Sequence, residues 1–513
     1  MSDVLLGQSY YLRFDPKLWE AMQPYPPLGT MYAASYLRRL GFDVAIFDAV
    51  LAESEAEWQA AIERHRPRFA VLFEDNFNYL SKMCLLRMRE AAFEMIRIAR
   101  DAGCTVIVAG ADPTDHAAEY LAKGADYAVI GEGEETLGEL LGLLTGQTGP
   151  TGQTGQINGL AYRAEDGRTI QTPRRREIRD LDSLPFPAWD LVDVPRYRSI
   201  WMSRHGYYSV NVVTSRGCPY HCSWCAKPIW GQRYNSRSPE NVVAELKWLK
   251  ESYGPDHVWF VDDIMGLRPG WIQQFADLLE KEGLRIPFKS LHRADLLLRE
   301  DTIPALRRAG AKTVWLGAES GSQKVLDAMD KGTTVGQIWE STRRMKAAGI
   351  KVGFFLQFGY PGEGREEIDE TLRMVRECRP DDIGVAVSYP LPGTRFHEAV
   401  RQEMGSKQNW SDSSDLAMMY RGPFSTEFYR KLHTVVHREF RARRAWDALR
   451  GALGRPWTLR PGHARLAAVA LRNSATLGLD RRQMDRLARA PHQGLAALPA
   501  AMPPSAAATP SEQ

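Results

Sequence analysis

Apolar and polar positions alternate along the chain in two long stretches of different spacing. Between residues 1 and 145, short apolar runs ("VLLGQ", "DVAIFDA", "FAVLFED", "TVIVAG" and "YAVIGE") are separated by segments with apolar residues at helix spacing, among them "LGTMYAASYLRRLG" and "KMCLLRMREAAFEMIRIARDAG". Five strands alternating with helices predict a doubly wound parallel sheet covered on both faces, with Gly41 placed to end the "LGTMYAASYLRR" helix. Ligands of such sheets gather at the carboxyl ends of the strands. Here those ends carry Glu74-Asp75-Asn76, "AGADPT" and "GEGEE".

From residue 208 the alternation resumes with wider spacing. "YSVNVVTS", "HVWFVDD", "FKSLH", "TVWLGAES", "VGFFLQFG" and "DIGVAVSYP" read as strands separated by helices such as "PENVVAELKWLKESYG" and "REEIDETLRMVRECRP". Six strand-helix units in succession predict a partial (β/α)6 TIM-like barrel, whose chemistry belongs at the carboxyl ends of its strands. Those ends carry a cysteine loop, Asp262-Asp263, His292-Arg293, Glu319-Ser320, Gln357 with "GYPGEG", and "PLPGT". His292 and Arg293 are substrate-site candidates by position alone, against a structural role.

The fold class is therefore α/β: a Rossmann-like domain over 1–145, a linker with a hairpin over 146–205, the barrel over 206–400, a helical region over 401–490 and a Pro/Ala/Ser tail over 491–513 expected to be disordered. Within the linker, the Gly-rich "TGQTGPTGQTGQ" precedes a hairpin turning at Asp166-Gly167 and a proline-stiffened connector, "LDSLPFPAWDLVD". The arginine-rich helix beginning at "STEFYRKLH" presents either a solvated face or a surface for an acidic substrate or a membrane.

Composition narrows the picture. Apolar residues at 44%, charged residues at 25% and a net charge of +3 suit a globular protein and give no global field that would announce nucleic acid. No apolar run is long enough to span a bilayer, and "MSDVLLGQSYYLRFD" lacks the pattern of a signal peptide, so a cytoplasmic location is expected. The six cysteines are too thinly scattered for a secreted disulfide framework. Cys84, Cys104 and Cys378 stand in apolar contexts that suit small buried side chains.

Cys218, Cys222 and Cys225 are different, because they lie together in "TSRGCPYHCSWCAKP" with no fourth cysteine nearby. A structural zinc site takes four ligands in a closed tetrahedron, and His221 as the fourth would be adjacent in sequence to Cys222. An electron-transfer cluster likewise uses four thiolates. Three thiolates would leave one iron of a four-iron cluster open to a small molecule.

The spacing of these cysteines, with Trp224 immediately before Cys225, resembles the signature of the radical S-adenosylmethionine (radical SAM) enzymes. "GAESGS", "GYPGE" and "PLPGT" resemble motifs on the fourth, fifth and sixth barrel strands of that family. The resemblance implies a 4Fe-4S cluster on Cys218, Cys222 and Cys225. Its open iron would chelate S-adenosylmethionine, and an electron from a low-potential donor such as flavodoxin or ferredoxin would cleave it to a 5′-deoxyadenosyl radical. It also implies that Trp224 lies beside the adenine, that Glu319 and Ser320 lie near the ribose or amino-acid part, and that Gln357 and Gly359 belong to the same cofactor site. Asp262 and Asp263 hold the second-strand position where many members contact the methionyl amino group, although the usual Gly-Gly-Glu is absent there; strand-end capping is the other reading.

"YPPLGTMYAASYLRRLGFDV", "VAGADPT" and "GADYAVIGEGEETLGELL" resemble the amino-terminal domain of cobalamin-binding radical SAM proteins, so the resemblance covers about residues 1–400. It implies cobalamin held against the barrel mouth, with Gly29, Gly110, Gly131 and Gly133 as places of close backbone approach or simply as tight turns. The lower-ligand sequence Asp-x-His-x-x-Gly of methionine-synthase-type domains is absent, and Ala111-Asp112 stands where relatives have Gly-Pro-His. The expected activity is cobalamin-dependent C-methylation of an unactivated carbon. The alternatives are oxidative cyclisation or rearrangement with cobalamin optional, and, outside enzymes, a metal-stabilised binding or sensor module. A small-molecule substrate is expected, whether lipid, tetrapyrrole or natural-product intermediate.

Overall fold

The computed structural model describes residues 2–83, 85–147, 153–299, 301–407, 409–453 and 462–490; Cys84 and the expected disordered tail lie outside these ranges. The first group of strands is β1 (Val4–Gly7), β2 (Val44–Ile46), β3 (Phe69–Phe73), β4 (Thr105–Ala109), β5 (Tyr127–Val129), β6 (Leu160–Arg163) and β7 (Thr169–Gln171). They form one sheet in the order β2-β1-β3-β4-β5-β6-β7, parallel through β5. Alternate residues of each strand enter two separate cores. Leu5, Ala70, Leu72 and Val108 pack with Ala91, Met95 and Ile96 on one face, while Leu6, Val71, Ile107 and Val129 pack with Ala33, Leu37 and Leu140 on the other. Burial on both faces is why these strands read as continuous apolar runs.

Two elements differ from the sequence expectation. The hairpin expected in the linker is the antiparallel edge of this sheet: β6 pairs with β5 in the register Ala128↔Ala161, and β7 pairs with β6. The long helix expected from residue 82 begins instead at Leu86 and runs to Asp101, after a short helix Tyr79–Met83. Its start is fixed from outside, since the Leu86 amide donates to the Trp410 carbonyl at 2.7 Å while Leu85 is extended.

The second group is β8 (Ser209–Val212), β9 (Ser215–Arg216), β10 (Asn235–Ser236), β11 (His257–Phe260), β12 (Phe288–His292), β13 (Ala311–Glu319), β14 (Lys351–Phe358) and β15 (Asp382–Val387). Six of them pair in sequential order, β15-β14-β13-β12-β11-β8, all parallel, so the sheet is the expected partial barrel, open between β8 and β15. Strands β9 and β10 form a separate two-stranded ribbon under the cysteine loop. The period of two divides the barrel cleanly. Val210, Val258, Phe260, Phe288, Val314, Leu316, Phe354 and Val385 lie in the core with helix residues such as Leu246 and Phe275. The opposite, concave face carries Ser209, Asn211, His257, Trp259, Lys289, Trp315, Phe355 and Gln357. His292 has the parity of Phe288 and bonds Ser290 through Nε2 at 3.0 Å, so it faces the helix layer and not the lumen.

Local signals set the crossover helices. Helix Pro239–Tyr253 starts with Ser238, whose Oγ accepts from the Asn241 amide, and proline at its first position; it ends at Gly254 in the left-handed conformation. The arginine-rich segment is helix Thr426–Leu453, paired with helix Gly462–Arg489. Its Phe428, Leu432, Val435 and Val436 enter the barrel core, while its polar side stays at the surface. No helix among the described residues is long and apolar enough to cross a membrane.

The two sheets meet at their carboxyl ends. Residues 24–26 are held against β8 by Asn211 Nδ2 to the Pro26 carbonyl (3.0 Å) and the Tyr25 hydroxyl to Ser209 Oγ (3.0 Å), and against the preceding helix Val194–His205 by Trp201 Nε1 to the Pro24 carbonyl (2.7 Å). Leu28 and Tyr32 of helix Leu28–Arg39, with Phe77 and Ala111 from beyond β3 and β4, form one apolar cluster with Val213, Ile229 and Trp230 of the barrel.

Candidate active site

The cysteine loop leaves β8 at the barrel mouth and is tied down from several directions. Asp262, buried at the end of β11, accepts through Oδ1 from the Thr214 amide (3.0 Å), the Thr214 hydroxyl (2.8 Å) and the Ser215 hydroxyl (2.5 Å). Ser223 donates by its amide and hydroxyl to the Met329 carbonyl (2.9 and 3.0 Å) and meets the Tyr360 hydroxyl at 2.7 Å. The Phe396 amide donates to the Ser223 carbonyl (2.9 Å), and Arg395 donates to the His221 carbonyl (2.6 Å). Gly217 is required here: its φ is +82°, and a Cβ would stand 2.3 Å from the Arg233 carbonyl oxygen.

On this frame Cys218 is buried, Cys222 and Cys225 are half-buried, and none is in a disulfide. Burial pushes the Cys225 thiol up to about 12, aided by Asp263 and opposed by Lys227; burial likewise raises Cys218. Metal-free, both hold their protons, and loading iron would release them. Among the described residues no three His, Cys, Asp or Glu side chains gather around a point suited to one metal ion. His221 is exposed, so a closed mononuclear zinc tetrahedron on this loop has no structural support. Three free thiols on one tethered loop fit a cluster held at three corners.

Around the thiols the mouth collects groups that the motifs foretold and others that they did not. Glu319 ends β13 at a bulge, with φ at +58°. That left-handed backbone is strained for a glutamate. Its carboxylate pairs with buried Lys331 at 2.8 Å, directly over Gly317, where a Cβ would lie 2.7 Å from Glu319 Oε1. Glu319 and the nearby Cys222 keep Lys331 charged despite burial. Lys331 also lies 6.0 Å from the Trp224 ring, and Arg293 stacks on Tyr220 at 3.5 Å while donating to the Lys331 carbonyl at 2.8 Å. Trp224 packs against the cluster of Met329, Tyr360 and Phe396, its Nε1 without a partner among the described residues. Asp262 Oδ2 is similarly unpartnered, and burial raises Asp262 to about 6 against the bonds from Ser215 and Thr214. These unmet polar atoms beside an ion pair fit a zwitterionic nucleoside ligand. Lys331 was invisible in the sequence because "DKGTT" carries no periodicity or motif that places it.

Other expected cofactor residues have protein partners. Ser320 Oγ is 3.0 Å from Thr371 Oγ1 and accepts from the Ser322 amide, which fastens helix Arg365–Cys378 to the barrel. Gln357 donates to Ser388 Oγ at 3.1 Å. Gly359, at φ +81°, lies within 3.0 Å of Tyr429 by its absent Cβ, and its amide donates to buried Glu363, which burial pushes to about 8. Asp263 is exposed.

The first sheet presents its carboxyl edge to this mouth through an ion cluster. Arg216, in β9 and two residues before Cys218, is buried and pairs with Glu132 at 2.6 Å and Glu134 at 2.8 Å, both from "GEGEE". Although burial favours its neutral form, these glutamates hold Arg216 firmly charged. Trp230 donates to Glu132 at 3.2 Å. A crevice lined by Gly29, Asn76, Glu132, Gly133, Arg216 and Trp230 has about 10 Å³ of free space, room for about one water. The four glycines each have a packing reason: a Cβ would meet Asp75 Oδ1 at 3.2 Å from Gly29, Glu74 Cβ at 2.6 Å from Gly110, Arg174 Nε at 3.2 Å from Gly131 and Phe73 Cε2 at 2.7 Å from Gly133. Among the described residues Asn76 Oδ1 has no partner at this edge, an acceptor suited to the amide donors on a corrin's rim, and Tyr79 lies within electrostatic reach of Cys225 and Glu319.

An all-parallel partial barrel with a three-thiol loop at its mouth, docked on a doubly wound sheet, defines a class. Residues 212–375 match the radical SAM superfamily and residues 19–141 match the B12 binding domain. The chain therefore carries a radical SAM domain and a B12-binding domain, the first implying a 4Fe-4S cluster with S-adenosylmethionine and the second cobalamin. An uncharacterized methyltransferase of Pyrococcus horikoshii is 28% identical over 75% of this chain and 81% of its own. An anaerobic magnesium-protoporphyrin IX monomethyl ester cyclase of Rubrivivax gelatinosus is also 28% identical, over 75% of this chain and 67% of its own. The fold is shared with the cobalamin-dependent S-adenosylmethionine radical enzyme OxsB (TM-score 0.70, 16% identity, 94% of this chain and 72% of that one). It is shared too with the radical SAM methyltransferase TsrM of Kitasatospora setae (TM-score 0.63, 20% identity, 79% of each).

Proposed function

We propose that this protein is a C-methyltransferase whose cluster is held by Cys218, Cys222 and Cys225. The observation that carries the reading is the three-thiol loop pinned beside the Lys331–Glu319 pair, facing the carboxyl edge of the B12-binding domain. When bound, the cluster supplies the electron that splits S-adenosylmethionine to a 5′-deoxyadenosyl radical, and cobalamin supplies a methyl group. The chain's own residues position these partners. Lys331 meets the methionyl carboxylate, Asp262 Oδ2 accepts from the methionyl amino group, Trp224 covers the adenine, and Tyr360 with Ser223 keeps the loop rigid. Asn76 and the loops after β1, β3 and β5 line the cobalamin side. A low-potential flavodoxin or ferredoxin delivers the electron, in the cytoplasm. The Rubrivivax relative favours cyclisation of a tetrapyrrole as the second reading.

The test uses anaerobic protein with iron, sulfide and cobalamin restored and dithionite as reductant. Formation of 5′-deoxyadenosine, loss of both it and the brown chromophore in Cys222→Ala, and S-adenosylhomocysteine accumulating with a retained corrin spectrum are expected. 5′-Deoxyadenosine without S-adenosylhomocysteine would select the cyclase reading; a colourless zinc protein would end both.

A further inference from the structure

The lumen of the barrel holds a cation that the chemistry above does not use. Lys289, in β12, lies on the concave face, three residues short of the strand end and so roughly 10 Å below the mouth. Among the described residues it makes no ion pair and no hydrogen bond; its ammonium rests 3.6 Å from the Trp259 ring centroid and 5.5 Å from that of Tyr25. Trp259 stands directly beside it in register on β11, and its Nε1 is buried with no acceptor among the described residues. Desolvating an ammonium and an indole N–H side by side is costlier than two ring faces return, and an anion between them would satisfy both.

The neighbouring surface describes the rest of the ligand. Trp315 and Phe355 stack at 4.6 Å on the same face. They lie flat because Gly353 and Gly384 beneath them have no Cβ; one at Gly353 would stand 2.5 Å from Trp315 Cδ2, one at Gly384 3.0 Å from Phe355 Cδ1. Phe355 is 38% exposed, so apolar ring surface is left open in the lumen.

We propose that the substrate is an anion with a flat apolar body, its carboxylate or phosphate received by Lys289 and Trp259 Nε1 and its body laid along Trp315 and Phe355. This rests on the barrel mouth being the reaction site and deepens that reading by fixing the substrate's chemical class. Burial lowers Lys289 to about 7, with Asp382 on β15 opposing that shift from a distance. The other titratable groups facing it do not compete: His257 is held neutral, at about 4, and the Tyr25 phenol is held protonated by burial. Anion binding is therefore strongest below pH 7 and declines above it, as the ammonium loses its proton.

Calorimetric titration of the anaerobic full-length protein with 2-naphthoate, 2-naphthyl phosphate and neutral 2-naphthamide tests this. At pH 6.5 at least one anion should bind about tenfold tighter than the amide, the tighter one naming the head group. Lys289→Gln should abolish the preference and Lys289→Arg should retain it, with naphthamide affinity equal in all three; Lys289→Met serves where the glutamine variant does not fold. No preference in the wild type, or a preference that survives in Lys289→Gln or Lys289→Met, overturns the proposal. 5′-Deoxyadenosine formation by wild type without any probe reports on the radical reading separately.

Discussion

Glu319 and Lys331 show what a single pair does at the mouth. Each is nearly inaccessible to water, and each is tolerated only because the other is there. Glu319→Gln leaves a buried ammonium without its counter-charge, so thermal unfolding should show a loss of about 3–5 kcal/mol, and S-adenosylmethionine should bind more weakly in equilibrium dialysis. Lys289 gives the opposite sign. Its folded pKa, about 7, lies below the ordinary lysine value of 10.5. Between those values the unfolded chain carries the extra proton, so stability rises with pH from about 7 toward 10. Lys289→Met should flatten that rise in denaturant titrations across the range and raise stability at pH 7. The cysteines were legible because three thiols at fixed spacing have few uses. Lys331 and Lys289 were not, since one sits in an unpatterned turn and the other looks like any polar residue of an alternating strand. The glycines after the first sheet's strands were legible as special positions, but Asp75, Glu74, Arg174 and Phe73 are what fill the space beside them.

Among elements, strand β11 and the cysteine loop depend on one carboxylate. Asp262→Ala removes three accepted hydrogen bonds from Thr214 and Ser215. The expected results are a destabilisation of about 2–3 kcal/mol by chemical denaturation and a lower iron content after reconstitution, with the thiols themselves intact. Periodicity found every strand of both parallel sheets, because full burial on both faces or strict alternation leaves a plain trace in composition. It could not foresee that the hairpin after residue 156 joins the first sheet, nor that helix Leu86–Asp101 starts where Trp410, more than three hundred residues away, caps it. Pairings of that kind are tertiary and have no local signature.

Across the whole molecule, the barrel core includes Tyr10, Met22, Met31, Val50 and Met88 from the first half of the chain as well as Phe428 and Val435 from the last helices. With that core shared, calorimetry should show one unfolding transition, and two separate transitions would contradict it. The Arg216 cluster is the polar part of the same interface. Arg216→Met strands Glu132 and Glu134 in a buried site. Near neutral pH it should cost about 3–5 kcal/mol, and the deficit should shrink toward pH 5 as the freed Glu132 carboxyl, which burial already raises, takes up a proton, measurable by thermal melts at the two pH values.

The walls of the cysteine loop come from residues as far apart as Glu132, Met329, Tyr360 and Phe396. A nascent chain paused before the last of these would display three thiols with no chamber around them. The chamber that retains iron and sulfide is therefore complete only in the finished polypeptide, whose open barrel mouth leaves Cys222 and Cys225 half-buried and within reach of a carrier.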